Sequence, residues 1–483
     1  MSYFDFDSAS VAFICFGLLA VVVANGLNAR AWRFWTLLLF SLIFVLLLAP
    51  GPIALVPLAG FLAAGYLGVV AVRSGGRRST TIAVVLIVAV YAWLKEYSFL
   101  PHEAFIPWAY LQLGLSYIFF RILHVIIDAR DSQPIREMGL ARYLAYTLNF
   151  TTFVSGPIQR YEDFEEQIGR LAPCRPDLST IATQVERLVI GFFKVNVLGL
   201  LFNMVHVDAL TQLSVAANPS GQIWAGLKAI GSYPFFLYCN FSGYIDIVIA
   251  LAGLMGLKLP ENFNHPFSAT SFIDFWNRWH ITLSAWLKSY VYNPLLLAIL
   301  RRSRTRTFQN AAGILCSFVT FFLIGIWHGR TSEFVIFGLL QGTGIAVNKI
   351  WQNELTRLLG HSRYRSVSVS TPYAAAARGL TFAWFAFSAI WFWGNWPEIA
   401  RAFTNLGYFR WVETLLLLWL ISVVVLSLWE VARDIFIEIA SVFQSETKNY
   451  VLRTVMFSAV ATISFIMTFV LSQPAPGIIY RTF

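Results

Sequence analysis

Trp32-Arg33-Phe34-Trp35-Thr36-Leu37-Leu38-Leu39-Phe40-Ser41-Leu42-Ile43-Phe44-Val45-Leu46-Leu47-Leu48-Ala49 carries one charged residue in eighteen. A helix that crosses the hydrocarbon core of a bilayer needs about 20 mostly apolar residues. Comparable segments lie near 8–26, 32–49, 52–73, 80–97, 104–127, 141–156, 184–205, 221–256, 310–328, 332–351, 377–395, 411–434 and 451–472. The segment 221–256 is long enough for two pieces. The pattern predicts an all-α polytopic membrane protein with about 11–13 transmembrane helices. Composition agrees: 58% of the 483 residues are hydrophobic, 12% are charged, and mean hydropathy is +0.65. A soluble domain carries about 25% charged residues, so this chain has too little polar surface to cover a water-soluble body. Aromatic residues, at 16%, suit a lipid-facing wall with interfacial rings.

The net charge of +10 does not point to nucleic acid. The basic residues sit in short loops between apolar segments and form no continuous face. Arg30 and Arg33 follow the first segment, Arg73, Arg77 and Arg78 the third, and Arg130, Arg136 and Arg142 the fifth. Cytoplasmic loops carry such an excess, which places the N-terminus outside. The run from Arg301 to Arg306 marks another cytoplasmic loop. The N-terminus lacks the basic region of a cleavable signal, so the first apolar segment is expected to be retained. Cys15, Cys174, Cys239 and Cys316 are too scattered for a metal knuckle and read as small core residues. No metal site is expected.

Two regions break the apolar pattern. Residues 157–183 are charged. Residues 259–300 mix Trp and Tyr with Asn262, Asn264, His265, Asp274, Arg278, His280 and Lys288. The second region is too polar for a lipid-exposed span and too apolar for a free loop. Such backbone is tolerated at membrane depth only inside protein or beside a water-filled cavity, so it reads as re-entrant or interfacial helix. On a continuous helix Trp276, His280 and Ser284 would share a face, with Trp279 and Trp286 on a neighbouring stripe. His328 ends the run Phe321-Phe322-Leu323-Ile324-Gly325-Ile326-Trp327. An ionisable group in a span is a functional candidate by default. A satisfied buried histidine and an aromatic-anchored interfacial helix account for the two segments equally well at this point. Imidazole suits acyl transfer, since it can take a proton from a hydroxyl near neutral pH and return it to a leaving thiolate. No Walker loop, G-x-S-x-G elbow or H-E-x-x-H motif is present, and nothing supports a covalent Ser-His-Asp mechanism.

At these residues the chain resembles the membrane-bound O-acyltransferase family. It is similar to the bacterial branch that includes the alginate O-acetyltransferase membrane subunit and the teichoic acid D-alanyl transfer membrane protein. The resemblance runs in order through 104–396. It is carried by Leu113-Gly114-Leu115-Ser116-Tyr117 with Asp128, Ser155-Gly156-Pro157-Ile158-Gln159-Arg160-Tyr161 and Gly191-Phe192-Phe193-Lys194. Further along come Phe241-Ser242-Gly243-Tyr244-Ile245-Asp246, Leu259-Pro260-Glu261-Asn262-Phe263-Asn264, Phe275-Trp276-Asn277-Arg278-Trp279-His280-Ile281-Thr282-Leu283-Ser284 and Gly325-Ile326-Trp327-His328-Gly329. Asn240 stands where the family pattern has Asp. The alginate-type "GGNR" is missing after Tyr290-Val291-Tyr292-Asn293-Pro294-Leu295, Arg330 replaces a small residue, and Trp391-Phe392-Trp393-Gly394-Asn395-Trp396 stands in place of "FFRA".

The resemblance implies one membrane-embedded domain over 1–483, with N-terminal helices in 1–100, a motif-bearing core in 104–396 and C-terminal helices in 397–483. It implies a ring of tilted helices and re-entrant elements around a central funnel. His328 would be the main catalytic residue and His280 the second. Trp279, Asn277, Arg278, Ser284, Trp327, Asn240 and Asp246 would line the substrate path. No tightly bound cofactor is expected. The donor would be a cytoplasmic thioester, acyl-CoA or an acyl-phosphopantetheine carrier protein, with acetyl the expected group and D-alanyl or another acyl the alternative. The acceptor would be a hydroxyl of an extracytoplasmic glycan or of an SGNH-like relay partner. Membrane lipid surrounds the chain, and the location would be the bacterial cytoplasmic (inner) membrane. A transporter is the contrasting reading, but the inverted repeats and paired broken helices that mark one are not seen.

Overall fold

The computed structural model describes residues 11–27, 29–170, 176–216, 218–302, 305–442 and 446–470. Among the described residues nine helices are long and apolar enough to cross a membrane, and Val11–Gly26 and Thr454–Ser464 are shorter apolar helices. The chain is an all-α, multi-pass membrane protein. Its contacts divide it into two units: Met1–Val197 with Asn240–Pro260 and Ser464–Phe483, and Leu198–Cys239 with Glu261–Ile463.

In the first unit two expected spans are short helices instead, for identifiable reasons. The segment near 104–127 is helical only over Leu115–Asp128. Gly114 precedes it with φ 79°, and a Cβ there would lie 2.6 Å from the Phe153 ring. Only glycine adopts that turn without strain or collision. The segment near 141–156 is helical over Leu140–Thr147 and then turns. The carbonyls released at its end are taken up by buried Arg121, which donates to Thr147 O at 2.8 Å, Tyr146 O at 3.2 Å and Thr152 O at 2.6 Å. A cation at a helix C-terminus satisfies orphan carbonyls. Arg33, the one charged residue of the expected span 32–49, is buried in the helix Arg30–Leu48 and donates to Asn25 Oδ1 at 3.1 Å. Cys15, expected in the core, is exposed, and Cys239 and Cys316 are buried; Cys174 lies outside the described residues. The charged stretch after 157 forms the helix Tyr161–Arg170, with Tyr161 and Phe164 buried.

The second unit holds the polar segment 261–292 as two short helices, α1 (Phe272–Arg278) and α2 (Ile281–Leu287), followed by a π-helical turn at Lys288–Tyr292. Beyond lie α3 (Arg306–His328), α4 (Ser332–Leu359), the short α5 (His361–Ser368) and α6 (Thr371–Ser388). Helices α3 and α4 form a hairpin whose backbones touch. A Cβ on Gly325 would lie 2.0 Å from Gly338 Cα, and one on Gly338 would lie 2.5 Å from Phe322 O. One turn on, a Cβ on Gly342 would lie 2.8 Å from Phe318 O. Gly338 and Gly342 form a small-xxx-small stripe, which lets membrane helices approach at backbone distance and gain dispersion contacts where lipid removes the usual hydrophobic drive. An apolar core of this unit gathers Leu227 and Ile230 with Phe382, Ala386, Ile399, Leu406 and Leu418. The departing stretch at 391–396 leads into a capping box: Asn395 Oδ1 accepts from Glu398 N at 3.0 Å, and Glu398 Oε2 accepts from Asn395 N at 3.1 Å.

The hairpin contact yields a paired test. Gly313 has open room, with its nearest neighbour Tyr292 Oη at 3.7 Å from a built Cβ. Ala normally improves on Gly inside a helix by about 1 kcal/mol, so Gly313→Ala should hold or raise the melting temperature in detergent. Gly325→Ala must push two backbones apart and should lower it, overpacking typically costing about 1–3 kcal/mol.

Candidate functional site

The helix expected through His280 is broken there. Trp279 is extended, and His280 takes a left-handed conformation at φ 46° and ψ 52°. The shared face of Trp276, His280 and Ser284 therefore does not form. The break is held by the preceding strand-like segment, which bridges Phe263 to Trp279 in antiparallel fashion. Asn264 N donates to Arg278 O at 2.9 Å, and Ile281 N donates to Asn262 O at 3.0 Å. The Asn262 side chain completes the support. Its Oδ1 accepts from Thr282 N at 3.1 Å and from Thr282 Oγ1 at 2.8 Å, and lies 3.3 Å from His280 Nδ1. One carboxamide oxygen thus satisfies the start of α2 and orients the imidazole. His280 is fully buried.

His328 is the last residue of α3, and only 3% of it is exposed. Its ring packs on Trp327 at 4.8 Å between centroids, on Phe392 at 5.1 Å and on Phe337 at 5.9 Å. The His280 ring lies 6.4 Å from the same Trp327 ring. Both histidines therefore share one buried indole as a wall. Trp279 is buried, stacked on Phe275 at 5.5 Å and packed on Phe385 at 5.1 Å. Trp286 faces a different neighbour, Tyr290, at 4.7 Å.

The remaining predicted residues divide. Arg278 is engaged by Asp274, its Nε 3.0 Å from both carboxylate oxygens. Asn277 is exposed and Ser284 half-buried, and the Ser284 amide donates to His280 O at 3.1 Å. Asn240 and Asp246 belong to the first unit. There Asp246 accepts from Lys194 at 2.7 Å and Arg187 at 3.0 Å, and Asn240 is buried. Lys288, Arg301 and Arg302 are exposed, while Ser303 and Arg304 lie outside the described residues.

Three groups escaped the sequence reading. Gln341 is fully buried in α4; it accepts from Trp276 Nε1 at 3.3 Å and donates to Ser388 Oγ at 2.8 Å, tying α1 and α6 to the hairpin. Lys349, also in α4, donates to Ser317 Oγ at 2.6 Å and Gly313 O at 3.2 Å. A Gln and a Lys inside an apolar span were the available signals. In the first unit His124 Nδ1 lies 3.0 Å from Asp128 and Nε2 3.3 Å from Glu162. These three residues offer metal-ligand atoms within 4.8 Å of one another, although Tyr161 N donates to His124 Nε2 at 2.9 Å as the group stands. The i, i+4 spacing of His124 and Asp128 was legible; Glu162 was not.

The chain matches the family model for MBOAT, the membrane-bound O-acyltransferases, over residues 127–371. It is 33% identical over 243 residues to a teichoic acid D-alanyltransferase of Streptococcus thermophilus, covering 50% of this chain and 57% of that protein. It is 26% identical over 335 residues to a teichoic acid D-alanyltransferase of Lacticaseibacillus rhamnosus, covering 66% and 80%. To a probable alginate O-acetylase of Pseudomonas aeruginosa it is 30% identical over 303 residues, covering 60% and 54%. The match thus spans little more than half the length of the first and last of these.

One outcome follows from the geometry. Asn262→Ala removes the oxygen that accepts from the Thr282 amide and hydroxyl and orients the His280 ring, and loss of a buried hydrogen-bond partner costs about 1–3 kcal/mol. It should lower the melting temperature more than Thr282→Val does.

Proposed function

Because the chain belongs to the membrane-bound O-acyltransferase family, we propose that it moves an acyl group, acetyl in the first reading, from a cytoplasmic thioester to an extracytoplasmic hydroxyl. The observation that carries this is the pairing of buried His280 and His328 on the single Trp327 wall. The setting is the bacterial cytoplasmic membrane. The donor is acyl-CoA or an acyl-phosphopantetheine carrier protein, and exposed Lys288, Arg301 and Arg302 offer its phosphates a basic approach. The acceptor is a glycan hydroxyl, or a hydroxyl on an SGNH-like relay partner that completes transfer to the glycan.

In this mechanism His328 acts as general base. It takes the acceptor's hydroxyl proton as the oxygen attacks the thioester carbonyl carbon. The new C–O bond forms, the tetrahedral intermediate collapses, the C–S bond breaks, and the departing thiolate recovers the proton from His328. No acyl-enzyme is required. His280, oriented by Asn262, positions the acyl group against Trp327. The aromatic wall of Phe337 and Phe392 around His328 keeps water from competing for the thioester.

A second reading, D-alanyl transfer to a cell-envelope polymer from a carrier-protein thioester, is favoured by the teichoic acid D-alanyltransferases among the relatives. Mass spectrometry of esters released from the surface polymers separates the two: acetate supports the first, alanine the second. Replacement His328→Ala should reduce ester content about 10²–10⁴-fold, the range for a lost general base, in membranes where the protein is shown to be folded. Undiminished esterification would remove His328 from the mechanism.

A further inference from the structure

A cavity of about 380 Å³ lies in the second unit between α4 and α6, beside the start of α1. Its walls include Val347 and Trp351 of α4 and Tyr373, Ala377, Leu380 and Trp384 of α6. Its volume falls in the range of pockets that take small ligands, roughly 300–1,000 Å³. Val347 and Leu380 are each 58% exposed and Trp351 is 53% exposed, so the cavity is a groove on the outer wall of the unit. On a chain that spans a membrane, that wall faces hydrocarbon. From Tyr373 to Trp384 the groove follows eleven residues of helix, roughly 16 Å at 1.5 Å per residue. That is the scale of a lipid acyl chain within one leaflet, half of a hydrocarbon core about 30 Å thick.

The two ends of the groove differ. The Tyr373 end is polar and aromatic: Trp351 Nε1 donates to Tyr373 Oη at 3.1 Å. Tyr364 of α5 stands close enough to Tyr373 to interact with it electrostatically. Helix α5 reads His361-Ser362-Arg363-Tyr364-Arg365-Ser366. It therefore brings Arg363 and Arg365 to this end as the sequence neighbours of Tyr364, which stands beside Tyr373 of the groove wall. Both arginines are exposed, and among the described residues neither is paired with a carboxylate. The arrangement is a long apolar slot, an aromatic pair at its mouth and two uncompensated guanidinium groups beside that mouth. Tyr and Trp settle at headgroup level, and guanidinium binds phosphate in bidentate fashion.

We propose that this groove seats one acyl chain of an anionic phospholipid, with the phosphate held at Arg363 and Arg365. The positive-inside pattern puts this end on the cytoplasmic face, where an anionic headgroup is attracted by basic residues. The charge pair selects the headgroup, and the slot holds the chain. The site is separate from the histidine pair and does not depend on the acyl-transfer reading.

Native mass spectrometry of the full-length protein tests it, with equal amounts of phosphatidylglycerol and phosphatidylcholine bearing the same chains. The parent protein should retain phosphatidylglycerol several-fold over phosphatidylcholine. The double replacement Arg363→Gln and Arg365→Gln, on an exposed helix face, should erase that preference without changing the melting temperature. Replacement Ala377→Trp, which fills the groove, should reduce retention of both lipids. Equal retention of the two lipids by the parent protein would overturn the proposal, as would a preference that survives the arginine replacements. Undiminished retention in a folded Ala377→Trp protein would do so as well.

Discussion

A peptide group that leaves its helix at membrane depth has no water to turn to, and another protein group must meet it. Much of this chain is arranged around that requirement. Where the helix breaks at His280, the segment from Asn262 to Asn264 supplies both a backbone pairing and a side-chain acceptor. Where the helix ends at Thr147, the Arg121 guanidinium gathers three carbonyls. At the first turn of α1, Asn348 Oδ1 of α4 accepts from Ile273 N at 3.1 Å. Each interruption is thereby fixed in place by a named polar partner, and candidate residue His280 stands at one of them.

The site follows from the same logic. A left-handed histidine costs backbone energy, of order 1–3 kcal/mol for a strained non-glycine residue. It persists only because Asn262 and Thr282 over-determine its surroundings. The reward is orientation: the imidazole is aimed by the backbone break itself and not by a flexible rotamer. His328 is positioned by a different device, at the tip of a long helix whose partner begins four residues later. Gln341 then ties α1 to the hairpin and to α6, so elements carrying both histidines share one buried polar link.

Much of this was legible in the sequence, and the limits have physical causes. Long apolar runs such as 32–49 announce themselves because hydrocarbon thickness dictates their length. The two overestimated spans, near 104–127 and 141–156, are as apolar as true spans, since they are buried in protein instead of lipid. Hydropathy cannot tell those two solvents apart. The turn at Gly114 and the carbonyl cluster on Arg121 are tertiary facts. His280 and His328 stood out because ionisable groups among aromatics are rare, but the break at His280 was hidden. Nothing in Trp279-His280-Ile281 signals a left-handed residue, and the partner that enforces it lies eighteen positions earlier, at Asn262. Asp246 was read as a wall residue from its motif; its ion pairs with Lys194 and Arg187 depend on which helices meet, which spacing along the chain does not reveal.

The glycine stripe on α4 has a mechanical consequence. Gly338 and Gly342 each seat against a carbonyl of α3, one helical turn apart, so the two helices mesh like a short toothed rack. Sliding α4 by one turn, about 5.4 Å, in one direction would drive the Phe334 ring into the slot that only a glycine fits. The hairpin therefore resists shear in that direction and tilts or translates more readily as a single body. His328 at one end and the Lys349 staple further along are carried on the same rack. In the proposed reaction, an opening that admits a substrate to His328 falls to the parts that rest on the rack, above all the turn Ile390–Trp393 that presses Phe392 onto the imidazole.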